Sequence, residues 1–239
     1  FDYLWAPKSF VVTGSPLTGN LTSTPVFHAA DDGIESVTLE VTDDDGTGSD
    51  AALVTIENLP PVVAAGADGS LPEGSSFSRS GSFTDPSSRD THTATVNYGD
   101  GTGVQALPLT AARTFSLNHV YADNGTYALT VCVADDDGAS DCDGLSVTVS
   151  NATPVAAAGS DQSAAEGSVV SLAPATFSDS GTLDTHTATI DWGDGTGPAS
   201  AAVSESPFGP PGSTAGASGS VSASHVYADN GAYTVVVCV

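Results

Sequence analysis

The chain has 239 residues, with 29 Asp and Glu against 4 Lys and Arg, a formal net charge of −25. That balance excludes nucleic acid as a partner, because phosphate contacts need a basic footprint, and no apolar run reaches the roughly 18 residues of a membrane-spanning helix. So many carboxylates serve instead solubility, tolerance of salt, or oxygen coordination of calcium.

The chain is a tandem array. Asp90-Thr-His-Thr-Ala-Thr-Val-Asn-Tyr-Gly-Asp-Gly101 returns as Asp184-Thr-His-Thr-Ala-Thr-Ile-Asp-Trp-Gly-Asp-Gly195, and His119-Val-Tyr-Ala-Asp-Asn-Gly125 returns as His225-Val-Tyr-Ala-Asp-Asn-Gly231. Ala30-Asp-Asp-Gly33 is a weaker third copy. Each long motif alternates small polar and apolar residues at period two and stops at Gly-Asp-Gly, so each predicts a strand followed by a tight turn. Internal repetition of this kind sets the architecture before any local reading does. The sequence has no Met and opens inside a repeat, so it reads as a piece, or a processed form, of something longer.

In chain order, residues 1–61 carry the apolar fragment Tyr3-Leu-Trp5, the run Ser9-Phe-Val-Val-Thr13 and the turn Asp31-Asp-Gly33. A hairpin follows, with Val37, Leu39 and Val41 on one face, the turn Asp43-Asp-Asp-Gly46, and Val54 and Ile56 on the return strand. It ends at Asn58-Leu-Pro-Pro61, where consecutive prolines break pairing and set a short, stiff linker. Against the next unit, this one is expected to lack its opening strands unless another chain or segment supplies them.

Residues 62–153 form the complete unit. Strands are expected at 62–66, 75–83, 91–98, 104–109, 113–120, 127–134 and 142–150, with no helical periodicity, which predicts an antiparallel β-sandwich. Tyr127, just after Gly125, stands where such a sandwich places a corner tyrosine bonded to the backbone. Residues 154–239 repeat the scheme with strands at 169–177 and 185–192, and stop at Cys238-Val239, before the hairpin turn and final strand. An insert at 204–220, rich in Gly, Pro, Ser and Ala, predicts a flexible surface loop. The edge left by the missing strand would accept a strand from a neighbouring molecule; the alternative is an arbitrary boundary.

Tyr98-Gly-Asp-Gly101 and Trp192-Gly-Asp-Gly195, with His119-x-Tyr121 and Gly125-x-Tyr127, resemble the signatures of the PKD (polycystic kidney disease) domain family. The first unit matches less well, with Ala6-Pro-Lys-Ser9 where Gly-Asp-Gly would stand. The resemblance implies an all-β chain of tandem immunoglobulin-like antiparallel β-sandwiches arranged end to end. It also implies extracellular, non-catalytic modules of surface proteins, adhesins and secreted hydrolases.

In the strand from Tyr127, the residues Leu129, Val131 and Val133 point inward, so Cys132 points out; Leu145, Val147 and Val149 place Cys142 outward in the return strand. The two lie opposite across one hairpin, close enough for a disulfide if the local pairing suits it; the alternative is two free thiols. By analogy with Cys132, the partner of Cys238 would lie beyond the end. The first unit has Glu40 in place of the first cysteine. Asn20, Asn124 and Asn151 match the glycosylation acceptor pattern, a weak signal in a Thr-rich chain.

An immunoglobulin-like strand path places Glu73-Gly74, the Gly99 turn and Asp123-Asn124 at one end of the middle unit, and residues 85–90 and Asp135-Asp-Asp137 at the other. End-to-end stacking then brings Asp31 and Asp32 towards Asp85, Asp90, Asp135, Asp136 and Asp137. At the next junction Asp100 and Asp123 approach Asp179 and Asp184. Converging carboxylates are the hard oxygen set that calcium takes, and without a cation they repel. The competing reading is that Asp is simply a good turn residue.

Catalysis finds no support. Gly-Asp-Gly-Thr-Gly lacks the Lys and helix of a phosphate loop, His92 and His186 are expected to cap or pack locally, His119 and His225 precede a corner turn, and no nucleophile turn stands out. The reading is an exported structural repeat protein, a stalk or filament of rigid sandwiches, with itself, other surface proteins or polysaccharide as partners. The alternative is an adhesin or the accessory binding module of a secreted hydrolase, which should show a row of exposed aromatics.

Overall fold

A computed structural model describes residues 9–13, 32–42, 46–206 and 209–239, with 9–13 and 37–42 by backbone alone. Its regular structure is extended throughout, and no helix occurs among the described residues. In the first unit, β1 (Ser9–Thr13), β2 (Gly33–Thr42) and β3 (Thr47–Ile56) make an antiparallel sheet in the order β1-β2-β3. The hairpin register runs from Gly33 opposite Ile56 to Thr42 opposite Thr47. Tyr3, Trp5, Asn20, Asp31 and the turn at 43–45 lie outside the described residues.

The middle unit holds β4 (Val62–Ala64), β5 (Gly69–Pro72), β6 (Ser76–Thr84), β7 (His92–Asn97), β8 (Val104–Ala106), β9 (Thr114–Val120), β10 (Gly125–Asp135) and β11 (Ser140–Ser150). They form two sheets, β4-β6-β9 and β5-β11-β10-β7-β8. Period-two alternation gives each sheet one apolar face, and the faces close on a core that includes Phe77, Phe83, Phe115 and Leu117 from one and Val96, Leu129, Val131 and Val147 from the other. Each such side chain contributes about 1.5–3 kcal/mol on burial. Cys132 pairs with Cys142 in the β10–β11 register and the two form a disulfide; Glu40 of the first unit pairs with Ser49 at the matching place.

Two features depart from the expected strands. β5 is an additional edge strand, parallel to β11; Gly69-Ser-Leu-Pro72 carries no alternation, and its proline is tolerated because the strand lies at an edge. β4 is joined to the opposite sheet by side chains, since the Val63 and Ala65 amides donate to Asp141 Oδ2 and Asp143 Oδ2, both at 2.9 Å.

The third unit contains β12 (Val155–Ala157), β13 (Val169–Ser171), β14 (Ala175–Asp179), β15 (Ala188–Asp191), β16 (Ala199–Glu205), β17 (Ala217–Ser222), β18 (Ser224–Val226) and β19 (Val236–Cys238). The expected strand at 169–177 is split into β13 and β14 by Leu172-Ala-Pro174, because proline removes a ladder donor. The insert at 204–220 is also not a free loop. Its ends are the paired strands β16 and β17, in register from Ala202 opposite Ser222 to Glu205 opposite Gly219, and β16 pairs through its other end with β15. One six-stranded sheet results, β12-β14-β17-β16-β15-β19. The core is smaller, built on Ala175, Phe177, Ala188 and Val221.

Candidate functional site

The two sequence signatures meet in space. His119 Nε2 lies 2.7 Å from Asp100 Oδ2 and the ring stacks on Tyr98 at 4.0 Å. In the third unit His225 Nε2 lies 2.7 Å from Asp194 Oδ2, with the ring stacked on Trp192 at 5.0 Å. The glycine before each aspartate has positive φ, 79° at Gly99 and 75° at Gly193. A Cβ at Gly99 would come within 2.5 Å of Ala128 O, and at Gly193 within 2.4 Å of Thr234 O. Tyr127 and Tyr233 make the corner bond, donating to Asp123 O at 2.8 Å and Asp229 O at 3.0 Å. These groups are structural: Asp100 also accepts from the Thr102 amide and hydroxyl, so both its oxygens are engaged and it stands outside the acidic groups described next.

At the joint of the second and third units, the Glu73 amide donates to Ser150 O at 3.0 Å and the Gly74 amide to Tyr121 O at 2.9 Å, which turns the Glu73 side chain towards the linker. The linker amide of Ala152 donates to Glu73 Oε1 at 2.6 Å. From the other side, the Thr182 amide donates to Ala122 O at 2.8 Å. Thr182 is 2% exposed, and its hydroxyl donates to Ser213 O and accepts from the Gly216 amide. The insert reaches across the same joint, since a Cβ at Gly212 would lie 2.9 Å from Thr102 Cγ2 and one at Gly101 3.7 Å from Pro211 Cγ.

These contacts gather Glu73, Asp179 and Asp184, each offering an oxygen within 4.8 Å of the others. Asp123 lies near enough for its negative charge to add to that of the group. Unit charges at that separation repel by about 3 kcal/mol per pair at an effective dielectric near 20. Burial, then Asp184, Asp179 and Asp123, push the Glu73 carboxyl above its ordinary value against the pull of the Ala152 amide. Desolvation, then Asp179 and Asp123, raise Asp184. Burial opposes the charge on His186, but Glu205 and Asp179 outweigh it and hold the imidazole above its usual value.

At the first joint the structure gathers Asp85, Asp90 and His92, and also Asp90, Asp136 and Asp137. Desolvation and the facing Asp32 carboxylate push Asp137 up to about 6. Asp135 has a structural part here: its Oδ2 accepts from Asn58 Nδ2 at 2.9 Å and its Oδ1 from the amides of Asp137 and Ala139. The Thr91 amide donates to Asp136 Oδ1. Arg113, at φ 57°, donates to Asp85 O and Ser87 O, both at 2.6 Å, and so brings a cation to this loop. The third unit brings no counterpart to the second joint, because the chain has no Lys or Arg after Arg113.

Of the expected residues, then, Asp90, Asp136 and Asp137 come together at one joint and Asp123, Asp179 and Asp184 at the other, while Asp100 bonds elsewhere. Glu73, which the strand path places at this end of the middle unit, is not among the aspartates expected to converge there. A signal for it exists, since Glu73-Gly74-Ser75 returns as Glu166-Gly167-Ser168. Asn124 and Asn151 are both exposed, the latter in the linker of the second joint.

No curated protein matches the sequence. Among solved structures, the chain is similar to a three-immunoglobulin segment of titin, domains I67–I69, at 13% identity and TM-score 0.39, covering 92% of this chain and 72% of that one. It is similar to a putative membrane-anchored protein from Corynebacterium diphtheriae at 12% identity and TM-score 0.30, over 86% and 64% of the two chains. A mouse clustered protocadherin segment, PcdhgC3 EC1-3, is similar at 16% identity and TM-score 0.33, over 67% and 58%. The family profile described as PKD domain matches residues 58–149 and again 151–239. With both signatures folded into one turn-and-corner unit, and that unit present twice, the chain belongs to the PKD domain family.

Proposed function

We propose that this chain is a segment of an extracellular, non-catalytic stalk or filament whose PKD domains act as rigid beads with fixed joints. The observation that carries the reading is the second joint, where the backbone bond from Thr182 to Ala122 and the bond from Ala152 to Glu73 tie consecutive domains together. A tether of independent modules would have no need of a fully bonded, buried threonine between them. Calcium at the acidic joints would add to this stiffness, and the disulfide fits an oxidising, exported setting.

Assembly would proceed by strand addition, which favours copies of this chain as partners. β19 hydrogen-bonds to β15, and among the described strands nothing pairs with its other edge. Polysaccharide binding has less support, because sugar stacking needs exposed aromatic faces. Among the residues whose side chains are described, every Phe, Tyr and Trp is buried or half-buried.

Electron microscopy of the native material tests the reading. Ordered fibres, or straight rods of constant width, are the expected result; strings that bend freely at every domain would refute it.

A further inference from the structure

We infer that the cluster of Glu73, Asp179 and Asp184, with Asp123 beside it, is a binding site for one hard divalent cation of calcium's size, with Glu73 as its anchoring ligand. Three of these carboxylates place an oxygen within 4.8 Å of one another. Acidic clusters on surfaces are common, but Glu73 is not on a surface: it is 2% exposed. Its Oε1 is used by the Ala152 amide, whereas its Oε2 is buried and has no hydrogen-bond partner among the described residues. A buried carboxylate oxygen without a donor is costly unless something positive meets it.

Among the described residues no cationic side chain is placed to fill that role: Arg89 belongs to the Ser87–Asp90 loop at the far end of the middle unit. The third unit contributes no Lys or Arg, Arg113 is bonded to Asp85 O and Ser87 O at the opposite end of the middle unit, and the Arg79 guanidinium reaches Asp68 O. His186 is already bound between Asp179 and Glu205.

Gly181 packs directly against the cluster. A Cβ at Gly181 would lie 2.5 Å from Asp184 Oδ2 and 2.9 Å from Glu73 Cδ, so any larger residue would press on the ligands. An all-oxygen set of several carboxylates suits a cation that takes six to eight oxygens in a flexible shell, and suits magnesium poorly, which keeps its waters and demands octahedral geometry. The ligands come from both domains: Glu73 and Asp123 from the second, Asp179 and Asp184 from the third. A bound cation would therefore act as a pin across the joint. The inference rests on the fixed joint proposed above, and deepens it by naming what holds the carboxylates together.

Isothermal titration of the whole chain with calcium chloride, and separately with magnesium chloride, tests the site. The expected result is a calcium site that Glu73→Gln and Gly181→Ala each weaken at least tenfold, that Asp194→Asn leaves unchanged, and that magnesium fills less tightly. An amide correlation spectrum of Glu73→Gln that overlays the parent away from the joint separates loss of a ligand from loss of fold. Calcium uptake unchanged in Glu73→Gln would place the cation elsewhere and overturn the assignment. No uptake up to millimolar calcium would overturn it too, and would mean that shared protons hold the cluster. In that case the fixed joint is judged separately, by whether the two domains still tumble as one body.

Discussion

Asp194 shows how a single turn residue ties distant parts of the chain. The Thr196 hydroxyl, then the Thr196 amide and His225, hold its carboxyl down at about 2, from an ordinary value of 3.8. A depressed carboxyl stabilises the fold above its unfolded value and loses that contribution as pH falls, here between about 4 and 2. A carbon-detected titration should therefore give Asp194 a midpoint near 2; a midpoint at its ordinary value would remove the pairing. Asp100 bonds in the same way although its histidine is 19 residues away rather than 31. The sequence displays both motifs but not their meeting, because the intervening length differs between units. Gly99 carries a second prediction. With φ at 79° and Ala128 O in the way, Gly99→Ala should destabilise the middle unit by about 2–3 kcal/mol in denaturant unfolding.

At the scale of elements, the β10–β11 hairpin was legible because strict alternation sorts Leu129, Val131 and Val133 inward and leaves the two cysteines opposite each other. The disulfide closes a short loop of separation 10, so replacing both cysteines by serine should cost at most about 3 kcal/mol and leave the sandwich folded. Complete unfolding of the double variant at room temperature would contradict this. β4 behaves differently, since its attachment to the far sheet runs through Asp141 and Asp143. Asp143→Ala would strip the partner from the amide of Ala65, a residue with 0% exposure, and should cost about 1–3 kcal/mol. β5 and the paired ends of the insert were not legible. Gly-Ser-Leu-Pro and Ala-Ser-Gly-Ser carry little apolar contrast, and their pairing is decided by the neighbouring strand rather than by their own pattern.

For the molecule as a whole, the sandwich class and the tandem plan follow from repeats and alternation, but the joints do not. Stacking domains end to end places acidic loops near one another, yet it gives no sign that Thr182 becomes buried, that Glu73 turns to the linker, or that the insert crosses to the Gly101 turn. Those depend on the rotation between domains, which no local pattern encodes. Thr182→Val should leave each sandwich folded while removing the partner of the Gly216 amide and of Ser213 O. The insert that crosses the joint, rather than either core, should loosen, seen as faster amide exchange at Gly216, while the backbone bond from Thr182 to Ala122 stays. On the proposed function, the second and third domains move as one rigid body. Residual dipolar couplings measured on both domains in a single aligned sample test it most directly. One alignment tensor shared by the two is the predicted result, and two tensors of different magnitude and orientation would show that the joint is not fixed.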